Sequence, residues 1–485
     1  MCGFISIFGP ESSDVLRDVL VGLVAIQHRG QDAAGIVSFK DKFQAKKGLG
    51  LVREVFEEKH LHRLSGPMAV GHVRYPTVGL GEDADVQPFW IDFPVGVAMA
   101  HNGNVTNFHE LRRDYFKDRN MRLASNCDLE AVLYVFADRL LERPGSAVTA
   151  ADVEAATRAT FERVKGAYSV VGMVAGAGMY AFRDPYGIKP CILGRKRTEE
   201  GDWFAVASES VVLDVAGYEI VRDLKAGELL WIGQDRKPQF FQITNETHRP
   251  CIFEHIYFAR PDSFIDGKSV YGARLELGRK LAETWRATGL EADALIPVPE
   301  SACTAAQTMA EDLGIPYREG FVKNRYVGRS FIMPNDKQRK ATIRHKMNPI
   351  KAEFEGKRVL ILDDSIVRGN TSRQIVKIAR QMGATKVYFL SYSSPLLHPC
   401  PYGIDMATKR EFIARDRSME QIAEEIGADH VVYQSVPGMM EAVNATGSES
   451  QDFCRACFEG DYPTGDITEG MLSDIEQDRF AARQG

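Results

Sequence analysis

The run Val359-Leu360-Ile361-Leu362-Asp363-Asp364-Ser365-Ile366-Val367-Arg368-Gly369-Asn370-Thr371-Ser372 constrains this chain more than any other stretch. Four apolar residues read as a buried strand, and Ile375, Ile378, Ala379 and Met382 then recur at helical spacing. Small residues in the turn between them free backbone N–H groups at a helix N-terminus, a ready cradle for phosphate. Asp363 and Asp364 need a purpose beside an anion, since like charges ~4 Å apart repel by about 4 kcal/mol at a surface-like dielectric. Binding hydroxyls, or a hard cation that travels with phosphate, supplies one. A phosphorylated sugar with neighbouring hydroxyls fits both halves of the turn. The alternative is an ordinary turn whose aspartates cap the helix, for which one Asp would suffice.

At the other end, Met1-Cys2-Gly3 invites a chemical reading. Loss of Met1 would leave Cys2 with a free α-amino group whose pKa is about 7.7–8.0, against about 8.5 for the thiol. On the order of a tenth of that amine is neutral near pH 7, enough for it to serve as base for the nucleophile without a histidine. Three later segments support this. Gly71-His72-Val73-Arg74-Tyr75-Pro76-Thr77 offers Arg74 for two-pronged capture of a substrate carboxylate. His101-Asn102-Gly103-Asn104 supplies a side-chain amide and a flexible backbone N–H, the parts of an oxyanion hole. Asp128 could hold a substrate ammonium. Taken singly, Arg74 suits a surface ion pair, residues 101–104 a hairpin turn and Asp128 a helix cap before Leu129.

The Asp363–Ser372 turn resembles the signature loop of the type I phosphoribosyltransferases, where two acids face ribose hydroxyls and the following residues hold the 5-phosphate. The N-terminal segments, with Gln27-His28-Arg29-Gly30-Gln31-Asp32-Ala33-Ala34-Gly35, resemble the N-terminal-nucleophile glutamine amidotransferases. Together with Tyr257-Phe258-Ala259-Arg260-Pro261-Asp262-Ser263 and Lys323-Asn324-Arg325-Tyr326-Val327-Gly328-Arg329, the chain resembles the amidophosphoribosyltransferases along nearly its whole length. The resemblance implies a glutaminase with Cys2 as nucleophile, Asn102 and Gly103 at the oxyanion, and Arg74 and Asp128 on glutamine. It implies that phosphoribosyl pyrophosphate is held by Asp363, Asp364, Ser365, Val367, Arg368, Gly369, Asn370, Thr371, Ser372 and Arg329. Mg²⁺, one per subunit, would sit on Ser301, Asp363 and Asp364. Asn370 stands where the family usually has Thr; its amide could replace the hydroxyl. Purine nucleotide inhibitors and a homotetramer are implied in the same way.

The implied fold is an α+β N-terminal-nucleophile sandwich of antiparallel sheets with covering helices, followed by an α/β type I phosphoribosyltransferase domain with a parallel sheet. The pattern agrees. Short Val/Ile runs with Gly turns fill the first half, as from Gly166 to Phe182 and Phe204 to Ser208, and helices are expected over Val15–Ile26 and Asn126–Leu140. From Cys251 strands and helices alternate, which predicts a doubly wound sheet with ligands at a switch point. Domains are expected at 2–233 and 250–470, joined by the polar stretch Gln234–Arg249, with a charged, helical C-terminal tail at 471–485.

Lys323 to Lys346 carries many cations. A solvated loop or nucleic-acid binding is possible, but the neighbouring phosphate turn favours a loop that closes over pyrophosphate. The net charge of -6 gives no general attraction to nucleic acid. No apolar run is long enough for a membrane span, and the N-terminus lacks the flank and core of a signal peptide. A cytoplasmic protein is expected, and its eight cysteines need no disulfides. Cys454-Arg455-Ala456-Cys457 could be half of a zinc site, a redox pair or an accident. Cys251 and Cys400 match the remaining ligand positions in the iron–sulfur branch of the family. Four thiolates suit either zinc or [4Fe–4S]; the resemblance points to [4Fe–4S] in a structural role. Cys127, Cys191 and Cys303 read as packed small hydrophobes.

The enzyme rivals are other amidotransferases, such as a sugar-phosphate aminator or asparagine synthetase, which would lack the Asp363–Ser372 turn. A regulatory protein sensing phosphoribosyl pyrophosphate would lack catalytic parts or add a DNA-binding segment.

Overall fold

The computed structural model describes residues 1–75, 83–115, 117, 122–324, 347–406, 408–448 and 450–484. Its first half stacks two antiparallel sheets. One has seven strands in the spatial order Glu219–Asp223, Ile192–Thr198, Gly201–Ala207, Gly3–Phe8, Met68–Arg74, Ala33–Phe39 and Phe43–Leu49. The other has six, ordered Pro238–Gln242, Glu228–Gly233, Gly178–Arg183, Gly166–Val174, Val97–Val105 and Phe89–Ile91. Side-chain alternation explains the layers. Phe4 and Phe8 join Ala98, Ala100 and Val171 between the sheets. Ile5 and Ile7 point the other way, onto Val19 and Leu23 of the helix Leu16–Ala25. On the far side, Phe136 of the helix Asp128–Leu141 stacks on Tyr180 with ring centroids 4.7 Å apart.

The second half is built on a parallel sheet of four strands: Ala294–Pro297, Arg358–Asp363, Lys386–Ser391 and His430–Tyr433. Both faces are covered, so the strand interiors are apolar and polar residues are kept to their ends. Leu360 and Leu362 pack with Leu277 and Met309 on one face, while Val359 and Ile361 pack with Ile375 and Ile422 on the other. Beside the first strand, Tyr317 makes a parallel bridge to Leu295. The chain therefore steps to one side of Ala294–Pro297 and then crosses to Arg358–Asp363 on its other side. That reversal is the expected switch point, and it sets Ser301 and Asp363 at adjoining strand ends.

Some expectations shift. Pro238–Gln242, assigned to the join, pairs as an edge strand of the six-stranded sheet, leaving residues 243–249 to connect the halves. The tail is a helix, Glu469–Gln484, docked through buried Leu472 and Ile475. Residues 325–346, most of the basic segment, and with them Arg329, lie outside the described residues. Their flanks Phe321–Lys323 and Met347–Pro349 pair antiparallel. Among the described residues no helix is long and apolar enough to cross a membrane.

Buried charge joins the halves. Arg29 donates to Glu254 at 2.8 and 3.0 Å and to Glu209 at 2.5 Å, and Arg183 grips Asp266 with two bonds of 2.6 and 2.9 Å. Burial works against the Arg29 charge, but the two glutamates outweigh it and hold the guanidinium firmly protonated.

Candidate active site

Cys2 precedes the central strand of the seven-stranded sheet and is buried, with its thiol 3.7 Å from the Tyr75 carbonyl oxygen. Arg29 Nε donates to the Cys2 carbonyl at 2.9 Å. Asn102 and Gly103 approach from the facing sheet. With one orientation of its amide, Asn102 Oδ1 accepts from the Cys2 N–H at 3.3 Å. Turned over, its Nδ2 donates to the Cys2 carbonyl at 3.2 Å and its Oδ1 accepts from Arg29 Nη2 at 3.3 Å, which leaves no donor facing a donor. The turned amide puts an N–H beside the nucleophile.

The hairpin reading of residues 101–104 fails. They run through the middle of the strand Val97–Val105, paired with Gly166–Val174. Gly103 has φ +156°, and a Cβ there would lie 2.1 Å from the Ala167 carbonyl oxygen. Its role is close approach of backbone, not a turn. Gly103→Ala is expected to lower glutamine hydrolysis by on the order of 10²-fold, the usual loss when an oxyanion donor is displaced. Measuring ammonia-dependent synthesis alongside separates this from general unfolding; equal loss of both would count against it.

The structure brings Arg74 and Asp128 into the same wall. Arg74 is buried and sits 3.7 Å from Asp85, so the surface ion-pair reading fails. Asp128 opens the helix Asp128–Leu141 but caps nothing. Its Oδ2 instead accepts from the Val105 N–H at 2.8 Å and lies 3.4 Å from His101 Nε2. Burial works against its charge, yet His101, the Val105 amide and Arg74 prevail and hold the pKa below the usual value. A carboxylate kept ionised in a buried site can take an ammonium group.

Asp363 ends its strand, and Asp364 begins the turn; both are buried. Asp364 accepts from Ser301 Oγ at 2.5 Å and from Ser365 Oγ at 2.6 Å, and its N–H donates to Asp363 Oδ1 at 2.9 Å. Burial, and for Asp363 the neighbouring Asp364, push both pKa values above the usual range, Asp363 well above. Two carboxylates so placed call for a cation or hydroxyl donors, and three hard oxygen ligands on Ser301, Asp363 and Asp364 suit Mg²⁺. The capping alternative fails. The helix Asn370–Gln381 starts after Gly369, at φ +73°, with no side chain capping its N–H groups. A Cβ on Gly369 would meet Ile413 at 2.3 Å. Arg368 pairs with Glu411 at 3.0 Å, and Asn370 Oδ1 accepts from Arg373 at 3.3 Å, which leaves the Asn370 NH₂ as donor toward an anion.

Cys251, Cys400, Cys454 and Cys457 are all buried. Cys251 and Cys454 pair across a parallel bridge, and the Leu397 and His398 N–H groups donate to the Cys457 carbonyl at 3.0 and 3.1 Å. Burial raises all three, Cys251 to about 12 and Cys454 and Cys457 well above the usual thiol range, where neighbouring thiols add to it. Four soft thiols gathered without disulfides fit a metal centre. Among the described residues no three such side chains close around a position for a single ion. This centre adjoins the glutaminase. The Pro401 carbonyl accepts from Asn104 Nδ2 at 2.7 Å, and a Cβ on Gly403 would lie 2.8 Å from the Gly103 carbonyl oxygen. Cys127 and Cys191 are core residues, but Cys303 is only half-buried.

A cavity of about 850 Å³ runs between the two centres. Met1, Arg29 and Tyr75, each touching Cys2, line it together with Asp363 to Ser365 and Val367 to Ser372. Sequence reasoning missed the members of this junction. Arg29 lies within a quoted motif but drew no role, and Glu209, Glu254 and Gln87 carry no local signal. Gln87 donates to His101 Nδ1 at 2.9 Å and so fixes the ring that faces Asp128.

Residues 72–215 match a family described as the glutamine amidotransferase domain. Amidophosphoribosyltransferase from Pseudomonas aeruginosa is 45% identical over 99% of this chain and 96% of its own length. The Saccharomyces cerevisiae enzyme of that name is 40% identical over 99% and 95%. The chain belongs to the amidophosphoribosyltransferase family. A solved glutamine phosphoribosylpyrophosphate amidotransferase from B. subtilis, complexed with ADP and GMP, superposes with TM-score 0.85 at 37% identity, covering 96% of this chain and 98% of that one. The chain accordingly carries out glutamine-dependent amidation of phosphoribosyl pyrophosphate, the first step of purine biosynthesis.

Proposed function

We propose that Cys2, freed by removal of Met1, attacks the glutamine amide while its own α-amine takes the thiol proton. Burial pushes the amino terminus of the unprocessed chain down to about 5, and the same surroundings would keep a Cys2 amine neutral and able to accept that proton. Asn102 and Gly103 stabilise the oxyanion, Arg74 holds the glutamine carboxylate and Asp128 its ammonium. A glutamyl thioester forms, ammonia leaves, and water then releases glutamate. Ammonia crosses the cavity to C1 of phosphoribosyl pyrophosphate, where N–C1 bond formation expels pyrophosphate and gives 5-phosphoribosylamine. Enclosure matters, because in bulk water ammonia would be protonated and lose its nucleophilic lone pair.

The helix N-terminus at Asn370–Ser372 holds the 5-phosphate, and Asp363 and Asp364 face the ribose. Mg²⁺ on Ser301, Asp363 and Asp364 would neutralise charge on the leaving group. Arg329 would join from the basic segment. The four cysteines hold a structural [4Fe–4S] cluster, supported by family likeness and by four buried thiols free of disulfides. Purine nucleotide inhibition, a homotetramer and a cytoplasmic location complete the proposal by family likeness.

The observation that carries this reading is the cavity lined both by neighbours of Cys2 and by residues of the Asp363–Ser372 turn. Glutamine hydrolysis measured with and without phosphoribosyl pyrophosphate tests it. Faster hydrolysis with the acceptor present is expected. Hydrolysis indifferent to it would point to a different acceptor, and none at all to a sensor.

A further inference from the structure

Lys189 is fully buried, and its Nζ has one polar partner among the described residues, Met1 Sδ at 3.0 Å. Among the described residues no carboxylate lies within ion-pair distance of it. A buried ammonium is ordinarily paired, because leaving it alone in a low dielectric is costly. A thioether is a weak acceptor, and processing of Met1 takes even that away.

The surroundings show where the missing charge lies. The Cys251 N–H donates to the carbonyl of Ile188, the residue before Lys189, at 3.0 Å. Cys454 pairs with Cys251 across the bridge, and Met1, Ile188 and all four cysteines share one core. Neutral thiols would leave the cation stranded. Metal-bound thiolates would not, since a cluster ligated by four thiolates carries net negative charge.

We propose that Lys189 is the buried countercharge of the four-cysteine centre, a positioning residue that stabilises the loaded cluster and its reduced state. This rests on the cluster reading above and deepens it. The cation touches the Met1 side chain, next in sequence to Cys2, and follows the residue whose carbonyl accepts from Cys251.

The test uses processed full-length protein purified without air, as wild type, Lys189→Met and Lys189→Arg. Iron and sulfide content, iron release to a ferrous chelator and the midpoint potential followed by electron paramagnetic resonance are measured. For Lys189→Met the reduced cluster is expected to be disfavoured about tenfold, a potential ~59 mV lower for a one-electron couple, with faster iron release; Lys189→Arg should restore both. Thermal unfolding of the cluster-free pair Cys251→Ser and Cys251→Ser with Lys189→Met gives a second readout that does not need a loaded variant. There, removing the stranded cation should raise the melting temperature. Wild type with iron and sulfide, but with potential and release unchanged in Lys189→Met, overturns the countercharge alone. So does a cluster-free pair that melts at the same temperature. Wild type free of iron and sulfide overturns the cluster reading and the inference with it.

Discussion

Cys2→Ala is expected to lower glutamine-dependent synthesis of phosphoribosylamine by on the order of 10³-fold or more, as loss of a nucleophile does elsewhere. Synthesis from added ammonia should stay within ~2-fold, because the two centres share no residue. Ala at position 2 is as small as Cys and keeps Gly3, so removal of Met1 and the strand Gly3–Phe8 should be undisturbed. The substitution removes only the sulfur that faces the Tyr75 carbonyl. Loss of both activities would mean that Cys2 supports the acceptor site structurally, and the separation of roles would fail.

Asp363→Asn combined with Asp364→Asn should give the converse, abolishing synthesis from either nitrogen source while sparing part of the glutaminase. Ser301 and Ser365 can still bond to an amide, so the turn should persist, but the anionic pair that a cation or ribose hydroxyls require is gone. The ligand-free variant should also melt higher, by ~2 °C or more, since two adjacent buried carboxylates oppose folding when both are ionised. Mg²⁺ with phosphoribosyl pyrophosphate should raise the melting temperature of wild type and not of the variant, through linkage to binding. Unchanged synthesis would remove these carboxylates from the site.

Much of the acceptor site was legible because its parts are consecutive. A strand, a turn of small residues and a helix announce themselves by local pattern, and the burial of Asp363 and Asp364 follows from their place at a strand end. The donor site was legible only as types of residue. Asn102-Gly103 carries the same signal as a hairpin turn, and only pairing with Gly166–Val174 shows it to be mid-strand. Asp128 reads as a cap until Val105 and His101 are brought to it. Least legible were the contacts that join the halves. Arg29 meets Glu209 and Glu254 across separations of 180 and 225 residues, and nothing local marks either glutamate. The same holds for Lys189, whose meaning lies in what surrounds it. The edge strand Pro238–Gln242 passed for a join because it pairs on one side only, so its alternation is weak.

The central claim is that nitrogen released at Cys2 reaches the Asp363–Ser372 turn inside one molecule. Amide-¹⁵N glutamine, supplied with phosphoribosyl pyrophosphate in excess unlabelled ammonium at neutral pH, tests it most directly through the mass of the phosphoribosylamine formed. A product that carries the glutamine label is predicted. Product labelled no more than full dilution of the released nitrogen into the ammonium pool allows, with the ammonia-dependent rate of Cys2→Ala as background, would contradict the account.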